Sequence, residues 1–447
     1  MAALPTRIET EAGHRLTPTE ISQITAARET MLSRLLMLYI TTGLVFMLLP
    51  GTFLGVWNLI TISSLRGVSS VSPAWIQAHG HAQIFGWIGT FVLGIGFHSI
   101  PKMRRLGWFR LSAAGVAWAL WTSGVTLRWI SSVYAWEWRI LLPLSAGLEL
   151  AAFGLFFHAV SGHRAARPAK SNGEEWVLTV IAGTTGLLLV LLINLGATVF
   201  LALHGNSPVL SAEFDSRFLV LQTWGFLVPF VWGFSAKWLP IFLGLKPVHG
   251  RALLLAVALN AAGVVIALAG WMVAATWLLL SGIAVVVYAL RLFGVSERPA
   301  KTKGVHASFP AFVRVAFVWA VIAAGLGIWA AMVEHPQGIW GASRHALTVG
   351  FLAMMVFAIG ERVLPAFSGM RLLFSPKLMF LAMSLLATGC LLRVRSEILA
   401  YQDLVRSAWS WLPVSAIIEM VAVTLLTVNL FLTFASRPPS YNVKRPT

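Results

Sequence analysis

The feature that most constrains the fold of this chain is a series of apolar segments, each about as long as a membrane is thick. A helix needs ~20 consecutive, mostly apolar residues to cross the hydrocarbon core of a bilayer. Twelve segments are near or above this length, at about 32 to 57, 79 to 100, 107 to 129, 138 to 160, 176 to 204, 216 to 241, 252 to 270, 272 to 293, 311 to 334, 344 to 366, 376 to 395 and 411 to 434. Unpaired backbone polar groups are costly in lipid, so each segment is expected to be a helix. The sequence predicts an all-α, polytopic membrane bundle over residues 31–435, with polar tails at 1–30 and 436–447.

The basic residues indicate how this bundle is oriented. Lys and Arg are enriched in the cytoplasmic connections of membrane proteins. With the N-terminus placed inside, about three-quarters of the 33 Lys and Arg residues fall in the tails and connections of that side. This predicts cytoplasmic termini in a bacterial-type inner (plasma) membrane. The net charge of +17 is therefore explained by topology and does not indicate a nucleic-acid partner.

Histidines at the outer ends of two predicted helices are the candidate functional residues. His79 and His81 begin the second span, and His345 begins the tenth. An ionisable side chain at membrane depth needs water, a hydrogen-bond partner or a metal, and imidazole is the commonest protein metal ligand. Because His79 and His345 lie at nearly equal depth on separate helices, they could bind one haem iron from opposite faces. Interfacial histidines wetted by water are the alternative.

His79 and His81 are expected to point in different directions. Residues two apart on a helix are separated by roughly 200°, so only one of the two can face His345. The other is free for a second metal, a second haem or a hydrogen bond that orients its neighbour, and His81 is the candidate ligand if a gas binds at a second site. The lone cysteine, Cys390, excludes an intramolecular disulfide framework and any thiolate cluster.

Charged residues inside the spans or at their ends extend the candidate site. Glu149 and Glu419 lie deep in their spans, where a carboxyl is either neutral or paired. They are expected to serve the site by hydrogen bonding or proton uptake, or else to be structural. Arg344, Arg128 and Arg139 lie at outer helix ends and could pair with haem propionates, because a guanidinium matches a carboxylate bidentately. Charges that simply face water are the alternative.

Two tracts of the sequence resemble known families. The tract HGHAQIFGW at 79–87 resembles helix two of haem-copper oxidase subunit I, in which a histidine before an Ile-Phe-Gly-aromatic run ligates the low-spin haem. The matching position here is His79. The tract HALTVGF at 345–351 is similar to one in the NnrS family, twelve-span proteins that contain haem and copper and are linked to nitric oxide tolerance. The resemblance implies a b-type haem between His79 and His345, with copper as a further metal and nitric oxide or another small gas as a partner.

Departures from the oxidase pattern narrow the function. Oxidases carry copper-binding histidines in helices six and seven, whereas the spans at 216 to 241 and 252 to 270 contain none. A standard binuclear oxygen-reducing centre is therefore not expected, and the sequence leaves open whether the protein is an enzyme. The favoured function is haem binding in a nitric oxide or nitrosative stress response or in respiratory metal handling. A transporter without a redox cofactor and a divergent oxygen or nitric oxide reductase subunit are the alternatives.

Overall fold

The fold is a bundle of long helices. The computed structural model describes residues 17–104, 108–161, 175–336 and 338–436, and these ranges contain no strand. The long helices are α1 (Pro18–Leu65), α2 (Pro73–Arg104), α3 (Leu111–Val133), α4 (Trp138–Ser161), α5 (Glu175–His204), α6 (Ala212–Leu243), α7 (Gly250–Leu268), α8 (Met272–Ala289), α9 (Phe309–Met332), α10 (Ile339–Phe367), α11 (Pro376–Tyr401) and α12 (Ala408–Ala435). All of them except α3 are long and apolar enough to cross a membrane on their own composition. The predicted all-α, multi-pass bundle is confirmed.

The first helix begins earlier than the apolar pattern indicates. Thr17 caps it: its hydroxyl accepts from the Glu20 N–H, with a donor–acceptor distance of 3.3 Å, and the Glu20 carboxylate accepts from the Thr17 N–H at 2.7 Å. This reciprocal pair satisfies two N–H groups that a helix start leaves open. The rest of the predicted tails, residues 1–16 and 437–447, lies outside the described residues, as do His14 and His163.

Neighbouring helices in the sequence pack as antiparallel pairs, and the bundle closes on itself. The pairs α3–α4, α7–α8 and α11–α12 contact each other along their lengths, and α12 also packs against α1. Glycines permit the tightest of these approaches. A Cβ on Gly186 of α5 would lie 2.0 Å from the carbonyl oxygen of Gly225 in α6, so only glycine fits there.

Among the described residues, four helices contain a stretch of π-helix in the half predicted to be outer. These stretches are Met47–Phe53 in α1, Ala82–Gly89 in α2, Leu221–Leu227 in α6 and Ala346–Ala353 in α10. A π-turn uses i→i+5 hydrogen bonds, so it holds one residue more than an α-turn, and such turns are frequent at functional sites. In α2 and α10 the stretch follows directly after His81 and His345, respectively.

Candidate functional site

A cavity of about 600 Å³ lies between the outer halves of α2 and α10 and extends to α6. His79, His81 and His345 all line it, together with apolar and polar side chains in nearly equal number. Below it, the rings of Trp87 and Phe357 join α2 to α10, with their centroids 6.3 Å apart. The volume lies in the range of roughly 300–1,000 Å³ that small-molecule and cofactor sites occupy.

His79 is oriented by the π-helical stretch of α1. Its Nδ1 lies 2.8 Å from the carbonyl oxygen of Gly51, and because a carbonyl can only accept, Nδ1 carries the proton. The neutral ring therefore keeps Nε2 unprotonated and available as a ligand. Gly55, one turn further along α1, lies against the ring, since a Cβ there would be 2.6 Å from the His79 Cε1 atom. The helix α1 thus fixes both the tautomer and the position of His79.

His345 is oriented in the same way by α10 and α11. Its Nδ1 lies 2.9 Å from the carbonyl oxygen of Gly341 and 3.1 Å from Oε2 of Glu397. Both neighbours are acceptors, so the proton again lies on Nδ1 and Nε2 is available. Arg393 Nε lies 3.4 Å from the same Glu397 oxygen, so this carboxylate links the imidazole to a buried guanidinium.

The structure brings His79 and His345 together as a matched pair. Each Nδ1 has a fixed acceptor, and neither Nε2 has a hydrogen-bond partner among the described residues. The two rings are close enough to interact electrostatically. Imidazoles that ligate metals typically donate their second nitrogen to a carbonyl or a carboxylate in this manner.

His81 makes a different contact. Its Nε2 lies 2.8 Å from Oε1 of Glu149, and both side chains are buried. Its ring stacks on Phe85 with a centroid distance of 4.3 Å. Within the described ranges, no group of three or more His, Cys, Asp or Glu side chains is arranged to hold a metal ion. Glu149 is thus the partner of His81 in this structure.

Two of the three arginines expected to bind an anion line the cavity, Arg128 and Arg344. Arg128 is only 3% exposed, and its Nε and Nη1 have no hydrogen-bond partner among the described residues. Asp215 of α6 lies within electrostatic range of both guanidinium groups. A buried guanidinium with open donors is costly unless a partner satisfies it, and a ligand carboxylate would do so bidentately.

Arg139 does not border the cavity. Its guanidinium donates to the carbonyl oxygens of Ala202 and Gly205, each at 2.9 Å, and so connects the start of α4 to the end of α5. Arg139 does lie at a helix end, but its side chain turns towards the end of a neighbouring helix.

Sequence comparison places the chain in a family. Residues 191–429 match a family model described as "Domain of unknown function (DUF8744)". The chain belongs to this family. The match begins in α5 and ends in α12, so it includes His345 but not His79. No curated protein matches this DUF8744 protein in sequence.

Structure comparison identifies the architecture. The DUF8744 protein matches a structure described as "Cryo-EM structure of a heme-copper terminal oxidase dimer provides insights into its catalytic mechanism", with a TM-score of 0.68 and 11% sequence identity. The match covers 91% of this chain and 84% of that one. Identity this low shows the fold alone. The haem-copper oxidase subunit I-like fold expected from the tract at 79–87 is confirmed, whereas the NnrS resemblance receives no support from these comparisons.

Three charged residues of this DUF8744 protein were missed by sequence reasoning, namely Asp215, Arg393 and Glu397. The apolar pattern ends the eleventh span at 395, but α11 continues to Tyr401, and Arg393 and Glu397 are each only 6% exposed. Their i,i+4 spacing was the available signal, because it places both on one helix face. Glu419 of α12 lines the same cavity, and its Oε1 has no partner in the described part of the chain.

Proposed function

We propose that this protein is a haem-binding electron-transfer protein of a bacterial inner membrane, with His79 and His345 as the axial ligands of one b-type haem. The observation that carries the proposal is the pair of imidazoles at one cavity, each with Nδ1 fixed and Nε2 open. The oxidase-like fold supports it, because it is a fold in which haem is held between membrane helices.

The other cavity residues fit the same cofactor. Arg128, buried with open donors, and Arg344 on the adjoining wall would pair with the propionates. The apolar side chains among the lining residues would exclude water from the ring. A haem iron held by two imidazoles supplies reversible one-electron chemistry.

The protein side chains around the ligands would set the properties of the site. Glu397 strengthens His345 as a donor, since a carboxylate at Nδ1 raises the basicity of the other ring nitrogen. Glu149 holds His81, and Glu419 offers an open carboxyl oxygen at the cavity wall. We infer that these two carboxyls serve the site through hydrogen bonds or proton uptake and not as iron ligands.

The biological setting rests on the resemblance of the tract at 345–351 to the NnrS family. This favours a response to nitric oxide or related stress. An iron with two imidazole ligands has no open position, so a gas would not bind directly to this haem without loss of a ligand.

Spectroscopy of histidine variants tests the proposal. The purified protein supplied with haem should show a low-spin spectrum that sharpens and shifts on reduction with dithionite. His79→Ala or His345→Ala should abolish it or convert it to a high-spin, carbon-monoxide-binding form. His81→Ala should leave the low-spin band, and His335→Ala, in the connection before α10, is the matched surface control.

Two results would overturn the assignment. A folded, colourless preparation after incubation with haem would favour a transporter without a redox cofactor. Loss of the low-spin band in His81→Ala but not in His79→Ala would mean that the ligand is the other histidine of the pair.

A further inference from the structure

A second cavity, of about 450 Å³, lies at the opposite end of α6 from the histidines, on the side predicted to be cytoplasmic. It is bounded by the end of α6, the start of α5 and the connections that follow α6 and α8. Three basic side chains line it, Lys237, Arg298 and Lys301. The proposed haem site makes no use of this cavity.

Contacts to the helices hold the Lys237 ammonium and the backbone of Lys301 in place. The Lys237 ammonium lies 5.1 Å from the ring centroid of Trp176 on α5, a cation–π distance. The Lys301 N–H donates to the Phe242 carbonyl at 2.8 Å, which ties the α8–α9 connection to the end of α6.

Gly244, just after α6, secures the same connection. It adopts a φ of +67°, and its carbonyl accepts from the Glu297 N–H at 2.8 Å. A Cβ on Gly244 would lie 2.1 Å from the carbonyl oxygen of Arg298, so the close approach requires glycine. The shape of the cavity is therefore fixed by backbone contacts and does not depend on contacts between long side chains.

The cavity has a net positive charge when its basic and acidic side chains are considered together. Glu175 is directed at the N-terminus of α7, where a Cβ on Gly250 would lie 2.3 Å from its Oε1, and the helix dipole favours a negative charge there. Three cations therefore face two carboxylates, Glu175 and Glu297, and the charge of Glu175 is partly offset by the helix dipole. This leaves a net attraction for an anion.

The rim of the cavity indicates where that anion comes from. Ile241 lines the cavity and is 49% exposed, on a helix that crosses the membrane. A lipid fits a site of this kind at the end of a membrane helix. Its phosphate can bind in the basic cavity, and its acyl chain can lie on the apolar surface beside it. Basic pockets between membrane helices on the cytoplasmic side bind acidic headgroups in this way.

We propose that this cavity binds the phosphate group of an anionic phospholipid, with Lys237, Arg298 and Lys301 around the phosphate and the acyl chain along Ile241. The lipid would be a structural ligand of the end of α6 and of the α8–α9 connection.

Native mass spectrometry of the full chain tests this with phosphatidylglycerol, phosphatidylcholine or inorganic phosphate added. We expect retained phosphatidylglycerol and little phosphatidylcholine. The double variant Lys237→Ala/Arg298→Ala should retain about tenfold less phosphatidylglycerol. Lys246→Ala/Lys303→Ala removes two exposed basic residues from the same connections without touching the cavity lining and should bind like the unmodified protein.

Several outcomes would overturn the proposal. An equal loss of bound phosphatidylglycerol in both double variants would show that lipid retention depends only on surface charge. Binding of free phosphate with no retained lipid would show that the cavity binds a soluble anion. If the Lys237 variant does not fold, Lys301→Ala, at an exposed side chain, should lower lipid retention by itself. Unchanged retention in Lys301→Ala would then contradict the assignment.

Discussion

At the scale of single residues, Glu397 distinguishes the two candidate ligands. His79 donates to a neutral carbonyl, whereas His345 also lies 3.1 Å from a carboxylate oxygen. If His345 is an iron ligand as proposed, the carboxylate would make it the stronger donor and would add negative charge to the site, although Arg393 would offset part of that charge. Both effects would favour the oxidised state of a bound haem, so this side chain should control the potential of the site.

Replacing Glu397 by Gln should raise the reduction potential by ~30–100 mV while the low-spin spectrum remains. The amide keeps the shape of the side chain and removes its charge. A spectroscopic redox titration measures the change. Glu334→Gln, at an exposed carboxyl before α10, should leave the potential unaltered. An equal potential in Glu397→Gln and the unmodified protein would show that the carboxylate does not act on the ligand.

Arg128 should have opposite effects on haem retention and on the stability of the empty protein. Arg128→Met removes a buried guanidinium with open donors, so haem should be lost about tenfold more readily while the haem-free protein gains ~1 kcal/mol or more. Haem transfer to an acceptor protein and thermal unfolding measure the two effects. Arg139→Met, away from the cavity, should retain haem normally. Retention unchanged in Arg128→Met would mean that the propionates lie elsewhere.

At the scale of helices, the π-helical stretch of α1 accounts for the orientation of the candidate ligand His79. The stretch at Met47–Phe53 contains Gly51, whose carbonyl oxygen accepts a hydrogen bond from the Nδ1–H of His79. No residue pattern in this stretch predicts that contact. The position of α1 behind the ligand therefore becomes visible only in three dimensions.

Gly55→Ala should displace the His79 ring. The added Cβ would meet Cε1 at 2.6 Å, and neither the helix nor the ring can move apart without breaking the Gly51 hydrogen bond. We expect loss of the low-spin band or its conversion to high spin. Gly80→Ala, next to His79 but with open space around the new Cβ, is the matched control. A normal spectrum in Gly55→Ala would show that α1 does not position this ligand.

The sequence predicted helices better than their ends, and it located the candidate histidines better than the groups that contact them. Apolar length located the twelve long helices, eleven of which are apolar enough to cross a membrane, and the predicted depths placed His79 and His345, which line one cavity, at the same level. The continuation of α11 past 395 was hidden, because Glu397 lowers the apolar signal although the fold buries it. The acceptors at Gly51 and Gly341 are backbone carbonyls, and a carbonyl carries no residue type for a sequence pattern to detect.

At the scale of the whole molecule, the two cavities lie on opposite sides of the bundle, one between α2 and α10 and one at the far end of α6. The orientation of the bundle therefore decides which cavity lies nearer to which face of the membrane. We propose that the histidines are on the outer side and the termini in the cytoplasm.

Labelling of introduced cysteines checks this orientation. Leu404, between α11 and α12, is 65% exposed, and Val295, between α8 and α9, is 91% exposed. In intact cells a membrane-impermeant maleimide should label Leu404→Cys and spare Val295→Cys, and lysis should expose both. The unmodified chain is the background, because its one cysteine, Cys390, is buried. The reverse pattern would invert the topology.

The π-helical turns also bear on how such a bundle changes over evolutionary time. One extra residue rotates everything beyond it by ~100°, which would normally remove a membrane helix from all its contacts. In α2 and α10 the π-helical turn accommodates the extra residue. It lies between the segment that carries the histidine and the more tightly packed remainder of the helix. The two halves of each helix are therefore independent in register. A single-residue insertion or deletion at one of these turns would change which side chains face the cavity. The packing of the other half of the helix would stay the same.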